Sequence, residues 1–144
     1  MTRSSSARRR RGFTLMEVLL VLVILVILAG MAVPAYQSIQ RGANNKAARA
    51  QIGAFETALD AFRMDLGDYP YTAQGLQALM APPADIGDAS RGNWPYLKKE
   101  VLDPWGRPYQ YEYPGRNDPY GGPDIWSMGQ DGASGTPDDI GNWQ

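Results

Sequence analysis

From Phe13 to Tyr36 the chain reads FTLMEVLLVLVILVILAGMAVPAY, apolar at nearly every position, and from Val18 to Tyr36 about 19 residues pass without a charge. At about 1.5 Å of rise per residue, a helix of that length crosses a hydrocarbon core of roughly 30 Å. Past Pro34 the pattern changes but stays helical. Ile52, Phe55, Leu59, Phe62 and Leu66 recur at spacings of 3, 4, 3 and 4, which is one apolar stripe on an otherwise polar helix. Gly67 is a natural stop, and Asp68-Tyr69-Pro70 turns the chain away. The spacing therefore predicts one long helix from about 14 to 66, with its stripe packed against a sheet. Proline lacks an amide proton and clashes with the preceding turn, so local unwinding is expected near Gly30 and Pro34.

Thr72 is a candidate N-cap for a short helix through AQGLQALM, although Gly75 weakens it. APPADIGDASRGNWP reads as loop. Pro104-Trp105-Gly106-Arg107-Pro108 is a turn, YQYEY alternates as a strand, and PDIWSMG is a second strand candidate. The sum is an α+β fold: a long helix laid on a small antiparallel sheet with extended loops. Trp94, Tyr96, Trp105, Tyr109, Tyr111, Tyr113, Tyr120 and Trp126 are better read as core and turn packing than as a sugar-binding face. Lys46, Asp60, Arg63 and Asp65 have the pattern of a solvated helix face, with some potential for ion pairs between subunits.

Charge sharpens the picture at both ends. Arg3, Arg8, Arg9, Arg10 and Arg11 precede Phe13 with no acid among them; removing these five from 14 basic residues leaves nine against 15 acids, a charge of −6. The basic end has the form of a membrane-topology signal, which keeps it cytoplasmic and sends the rest across. No basic patch remains for nucleic acid. The chain has no histidine and no cysteine, which excludes His-based proton transfer, thiol nucleophiles, thiolate zinc and disulfides. A small exported domain without disulfides needs another brace, and a structural metal is one option.

The same N-terminal pattern also fits a secretory signal peptide, with Gly30-Met31-Ala32 offering small residues for a cut after Ala32. Glu17 argues against it. A carboxylate deep in a bilayer costs about 2.5–3.5 kcal/mol even on permissive scales and usually has a partner. A cut after Gly12 would place a new α-amine on Phe13, four residues before Glu17. One helical turn would then separate ammonium from carboxylate, within one chain or between neighbours.

Gly12-Phe13-Thr14-Leu15-Met16-Glu17 behind a basic run closely resembles the leader junction of type IV pilins and pseudopilins. YPYTAQGLQALM, YLKK, DPWGRPYQYEYPG, DIWSMGQDG and DDIGNW, in that order, resemble the major pseudopilins of type II secretion within that superfamily. The resemblance runs from Arg8 nearly to Gln144. It implies a basic leader over residues 1–12, removed by prepilin peptidase with N-methylation of Phe13. A transmembrane and assembly helix over 13–36 and a periplasmic domain over 37–144 would follow. Glu17 would be the assembly glutamate. Ordinary type IV pilins often end in a cysteine-bracketed loop, which this chain lacks.

SMGQDGASGTPDDIG, residues 127–141, sets Asp131, Asp138 and Asp139 among four glycines and a proline. Oxygen-only donors on a flexible loop suit Ca²⁺ better than Mg²⁺, and the spacing is not that of an EF-hand. Spacing alone favours a solvated acidic turn. The resemblance reverses this: it implies one structural Ca²⁺ held by the side chains of Asp131, Asp138 and Asp139 and the carbonyls of Met128 and Thr136. Pro137, beside Thr136, is where this loop departs from the family pattern.

The sequence therefore reads as a filament subunit, not an enzyme, with no catalytic residues. It would be anchored once in the inner membrane with its C-terminal domain in the periplasm. Its implied partners are further copies of itself in a helical fibre, the prepilin peptidase, minor pseudopilins, the inner-membrane assembly platform and lipid. The alternatives are a type IV pilin of a surface fibre, or an exported soluble periplasmic domain starting at Val33.

Overall fold

A computed structural model describes residues 12–144. One helix, α1, runs Leu15–Leu66, and the chain divides into two units after Gln40. In the first unit the helix continues without a break through Gly30 and Pro34, so the expected unwinding is not seen. Leu19, Leu20, Val23, Ile24, Ile27 and Leu28 are exposed around it. A helix apolar on every side is one built for surroundings other than water.

In the second unit α1 ends where Gly67 donates to the Arg63 carbonyl at 2.7 Å. The stripe behaves as the spacing predicts: Ile52, Phe55, Leu59 and Phe62 are buried and Leu66 partly so, with Ala48 extending it one turn earlier. Three short strands pack on this stripe: β1 (Gln110–Glu112), β2 (Asp124–Ser127) and β3 (Ile140–Gly141). They form one antiparallel sheet in the order β1-β2-β3, with Tyr111 opposite Ile125 and Ser127 opposite Ile140. Tyr109, Ile125 and Ile140 are the apolar side chains brought to the core from the sheet region. The Phe55 and Tyr109 rings meet edge-on at 5.1 Å, and Trp94 and Tyr96 stand edge-on to Phe62 at 6.1 and 5.5 Å. These aromatics are packing groups, whereas Tyr120 is 95% exposed.

Three expectations need correction. The helix sought in 73–80 is a single 3-10 turn, Leu76–Leu79, because Gly75 sits at φ 59° and interrupts the helical backbone before it. Thr72 is not its cap. Its hydroxyl donates to the Tyr113 carbonyl and accepts from the Tyr113 amide, at 3.0 and 2.9 Å, tying this segment to the end of β1. The polar face of α1 is also more than solvated charge. Asp60 accepts from the Tyr69 hydroxyl at 2.8 Å and Asp65 from the Tyr96 hydroxyl at 2.7 Å. The Arg63 guanidinium lies 5.1 Å from the Tyr69 ring centre.

Tyrosine ionisation follows from this packing. Burial, and then the nearby Asp103 charge, push the Tyr109 phenol up to about 12. Donation to Asp68, reinforced by desolvation, pushes Tyr113 up to about 12, and burial raises Tyr111 as well. A phenol raised above its ordinary value of 10.0 favours the fold in its neutral form. That stability is complete below the unfolded value and is lost as pH rises through the folded one. The denaturation midpoint should therefore fall as the pH is raised from about 10 to about 12. The phenolate absorbance of Tyr109 and Tyr113 should appear only near pH 12 in the folded chain.

Candidate functional site

At the N-terminal end, Gly12 and Phe13 precede the helix, while Arg3 and Arg8 to Arg11 lie outside the described residues. Thr14 is the residue the sequence reading missed. Its hydroxyl accepts from the Glu17 amide at 3.2 Å, and its carbonyl accepts from the same amide at 3.1 Å. Thr14-x-x-Glu17 has the spacing of a capping box, and a polar oxygen there satisfies one of the free N–H groups at a helix start. In hydrocarbon no water can do so. Glu17 stands in the first turn, where a negative charge complements the helix dipole. Its carboxylate has no partner among the described residues. The helix behind it is long and apolar enough to cross a membrane.

The acidic loop connects β2 to β3. Asp138 is its centre: one carboxylate oxygen accepts from the Thr136 hydroxyl at 2.6 Å and the other from the Asp131 amide at 3.0 Å. The Thr136 hydroxyl first, then the Asp131 amide, hold this carboxyl down to about 2. Asp131 caps the Ala133 amide at 2.8 Å, and Asp139 Oδ2 accepts from the Gly135 amide at 2.6 Å. Asp139 is 8% exposed, and its Oδ1 is buried with no partner. The Met128 and Thr136 carbonyls each accept one amide, from Gly132 and Asp139, both at 3.2 Å; a carbonyl oxygen has a second lone pair.

These donors are all oxygen, and one of them is an orphaned buried carboxylate, so in chemistry they fit a hard divalent cation. In position the loop is less closed. Among the described residues no three acidic side chains stand near enough to share one ion. Asp131 and Asp138 are brought together through a backbone amide, while Asp139 turns toward Gly135.

Residues 7–33 match the model of the prokaryotic N-terminal methylation motif, and residues 36–143 match that of type II secretion system (T2SS), protein G. The chain belongs to the type II secretion system protein G family. Curated relatives include type II secretion system core protein G of Aeromonas hydrophila, 46% identical over 94% of this chain and 94% of that protein. The core protein G of Pseudomonas aeruginosa is 44% identical over 94% of this chain and 96% of its own length. Among solved structures, the major pseudopilin from the type 2 secretion system of enterohaemorrhagic Escherichia coli matches with a TM-score of 0.63 at 36% identity. It covers 74% of this chain and 92% of that one. Protein G is a structural pseudopilin family, which implies a pseudopilus assembly with other secretion components. The methylation motif and apolar helix are consistent with a membrane-anchored protein.

In this member of the protein G family, two buried aspartates and the half-buried Arg107 hold the loops. Asp103, just before the Pro104–Pro108 turn, is 4% exposed and accepts from the Trp105 and Arg107 amides at 3.0 and 2.8 Å. Its other oxygen takes the Ser127 hydroxyl at 2.6 Å. Asp124 Oδ2 accepts from the Arg116 and Asn117 amides and the Asn117 side chain, at 2.8, 3.0 and 3.0 Å. The Arg107 side chain reaches the carbonyls of Gly129 and Gln130. Asp103-Pro104-Trp105-Gly106 carries a local signal, an aspartate capping its own turn. Asp124 and Arg107 carry none, because their partners lie elsewhere in the chain.

Proposed function

We propose that this pseudopilin is a structural subunit of the periplasmic pseudopilus that helps drive folded proteins across the outer membrane. The observation that carries the reading is the N-terminal arrangement. A capped helix start places Glu17 in its first turn, four residues after Phe13, at the head of a helix exposed and apolar on all sides. Cleavage between Gly12 and Phe13 by a prepilin peptidase would supply an ammonium as partner to that carboxylate. Copies of the chain then pack apolar helices side by side in a heterologous, non-closing helical fibre. Minor pseudopilins and an inner-membrane platform are the partners such a fibre needs. The anchor over residues 13–36 crosses the inner membrane once, with residues 37–144 in the periplasm. The methylation motif and the named relatives favour this over a surface pilin or a soluble domain cut after Ala32.

The acidic loop belongs to the same reading. Asp131, Asp138 and Asp139, with the Met128 and Thr136 carbonyls, would hold one structural Ca²⁺; the buried, unpartnered Asp139 Oδ1 supports this. The ion would draw the three carboxylates closer and tie the loop to the sheet, adding stability by mass action.

Two outcomes check the proposal. Glu17→Ala should insert normally in the membrane and be cleaved, yet give no fibres by electron microscopy; normal fibres would remove the role given to Glu17. Chelating calcium from the detergent-solubilised chain should lower its melting temperature by several degrees, as expected for a ligand present at about 100 times its Kd. An unchanged melting temperature would return the loop to a solvated acidic turn.

A further inference from the structure

We propose that Arg107 is a positioning residue for the acidic loop, aiming its backbone toward the cation without itself being a ligand; this rests on the calcium reading above. The residue is first fixed at its own backbone. Its amide donates to Asp103 Oδ1 at 2.8 Å, and its carbonyl accepts from the Asp103 amide at 2.7 Å. From that frame the guanidinium crosses to the loop, where Nη2 donates to the Gly129 carbonyl at 2.5 Å and the Gln130 carbonyl at 3.2 Å.

The planar peptide turns those two bonds into levers. In a trans peptide the C=O of one residue and the N–H of the next share a plane and point in opposite directions. Holding the Gln130 carbonyl therefore aims the Asp131 N–H, and that N–H lands on Asp138 Oδ2 at 3.0 Å. Arg107 and Asp138 grip opposite ends of one peptide. The same frame sets the neighbouring plane: Asp103 holds the Ser127 hydroxyl at 2.6 Å, and that hydroxyl accepts from the Gly129 amide at 3.2 Å. Fixing the Gly129 N–H fixes the Met128 carbonyl, one of the five proposed ligands. Asp103 and Arg107 together thus orient Met128, Asp131 and Asp138 from outside the loop.

Gly132 shows how closely the guanidinium lies. A Cβ at that position would fall on Arg107 Nη1, and the backbone there has φ 73°. Only glycine leaves the arginine room to lie across the turn. Lysine keeps a charge and N–H donors but lacks the planar guanidinium that lies across Gly132 and sets where the donating nitrogen stands.

The sign of the effect separates positioning from simple charge. By Coulomb's law, removing a cation beside a Ca²⁺ site should tighten binding. Positioning predicts the reverse. Calcium chloride is titrated calorimetrically into the full-length chain in detergent, for the wild type, Arg107→Ala and Arg107→Lys. Near-ultraviolet circular dichroism in chelator reports whether each variant is folded. Arg107→Ala should weaken binding at least about tenfold, matching the loss of charged hydrogen bonds, and Arg107→Lys should weaken it by a few-fold. Wild-type affinity or tighter in a folded Arg107→Ala overturns the proposal and leaves the calcium reading intact. If Arg107→Ala does not fold, unchanged affinity in Arg107→Lys overturns it. A wild type that takes up no calcium overturns both.

Discussion

The side chains of Ile52, Phe55, Leu59 and Phe62 are withdrawn from water by loop residues and by strands only two to four residues long. Strands that short cannot form a stable sheet alone; they persist because one face lies on a helix already committed to its shape. The edge-on aromatic contacts of Phe55 with Tyr109, and of Phe62 with Trp94 and Tyr96, attach two separate loop regions to that stripe. Replacing the stripe by polar residues would leave β1, β2 and β3 with nothing to fold on.

With no cysteine to close the long connections, carboxylates do the closing. Asp103, Asp124, Asp138 and Asp139 each gather backbone amides or hydroxyls from their own or neighbouring turns. A carboxylate that accepts several N–H groups fixes its loop in one conformation. Asp103 reaches furthest, since the turn it caps also presents Arg107 to the acidic loop. The brace expected from the lack of disulfides is thus present in the protein itself, before any ion is considered.

Much of this was legible from residue spacing. The 3-4 recurrence of Ile52 to Leu66 located the helix and its buried face, because a helix returns to the same side every 3.6 residues. β2 was legible as the strand candidate PDIWSMG, and β1 from the alternation of YQYEY, though only Gln110–Glu112 pair. β3 was not, because two residues beside a glycine-rich loop offer no period to detect. Thr72 misled because a threonine before a helix-like pattern and a threonine bridging to another segment look alike until Tyr113 is placed beside it. Asp60 and Asp65 misled for the same reason; their tyrosine partners lie 9 and 31 residues away. In the acidic loop the sequence located the donors, while their orientation depends on Arg107, 22 residues before Gly129.

Residues 15–36 of α1 and residues 41–66 answer to different surroundings, the first apolar on every side, the second striped. Glu17 is the one carboxylate in the first stretch, and the account turns on its acquiring a partner when Phe13 becomes the N-terminus. The mass and N-terminal sequence of the protein, purified from the membranes of its native host, test that most directly. The account predicts a chain beginning at N-methyl-Phe13. A chain beginning at Val33, or one left uncut, would contradict it.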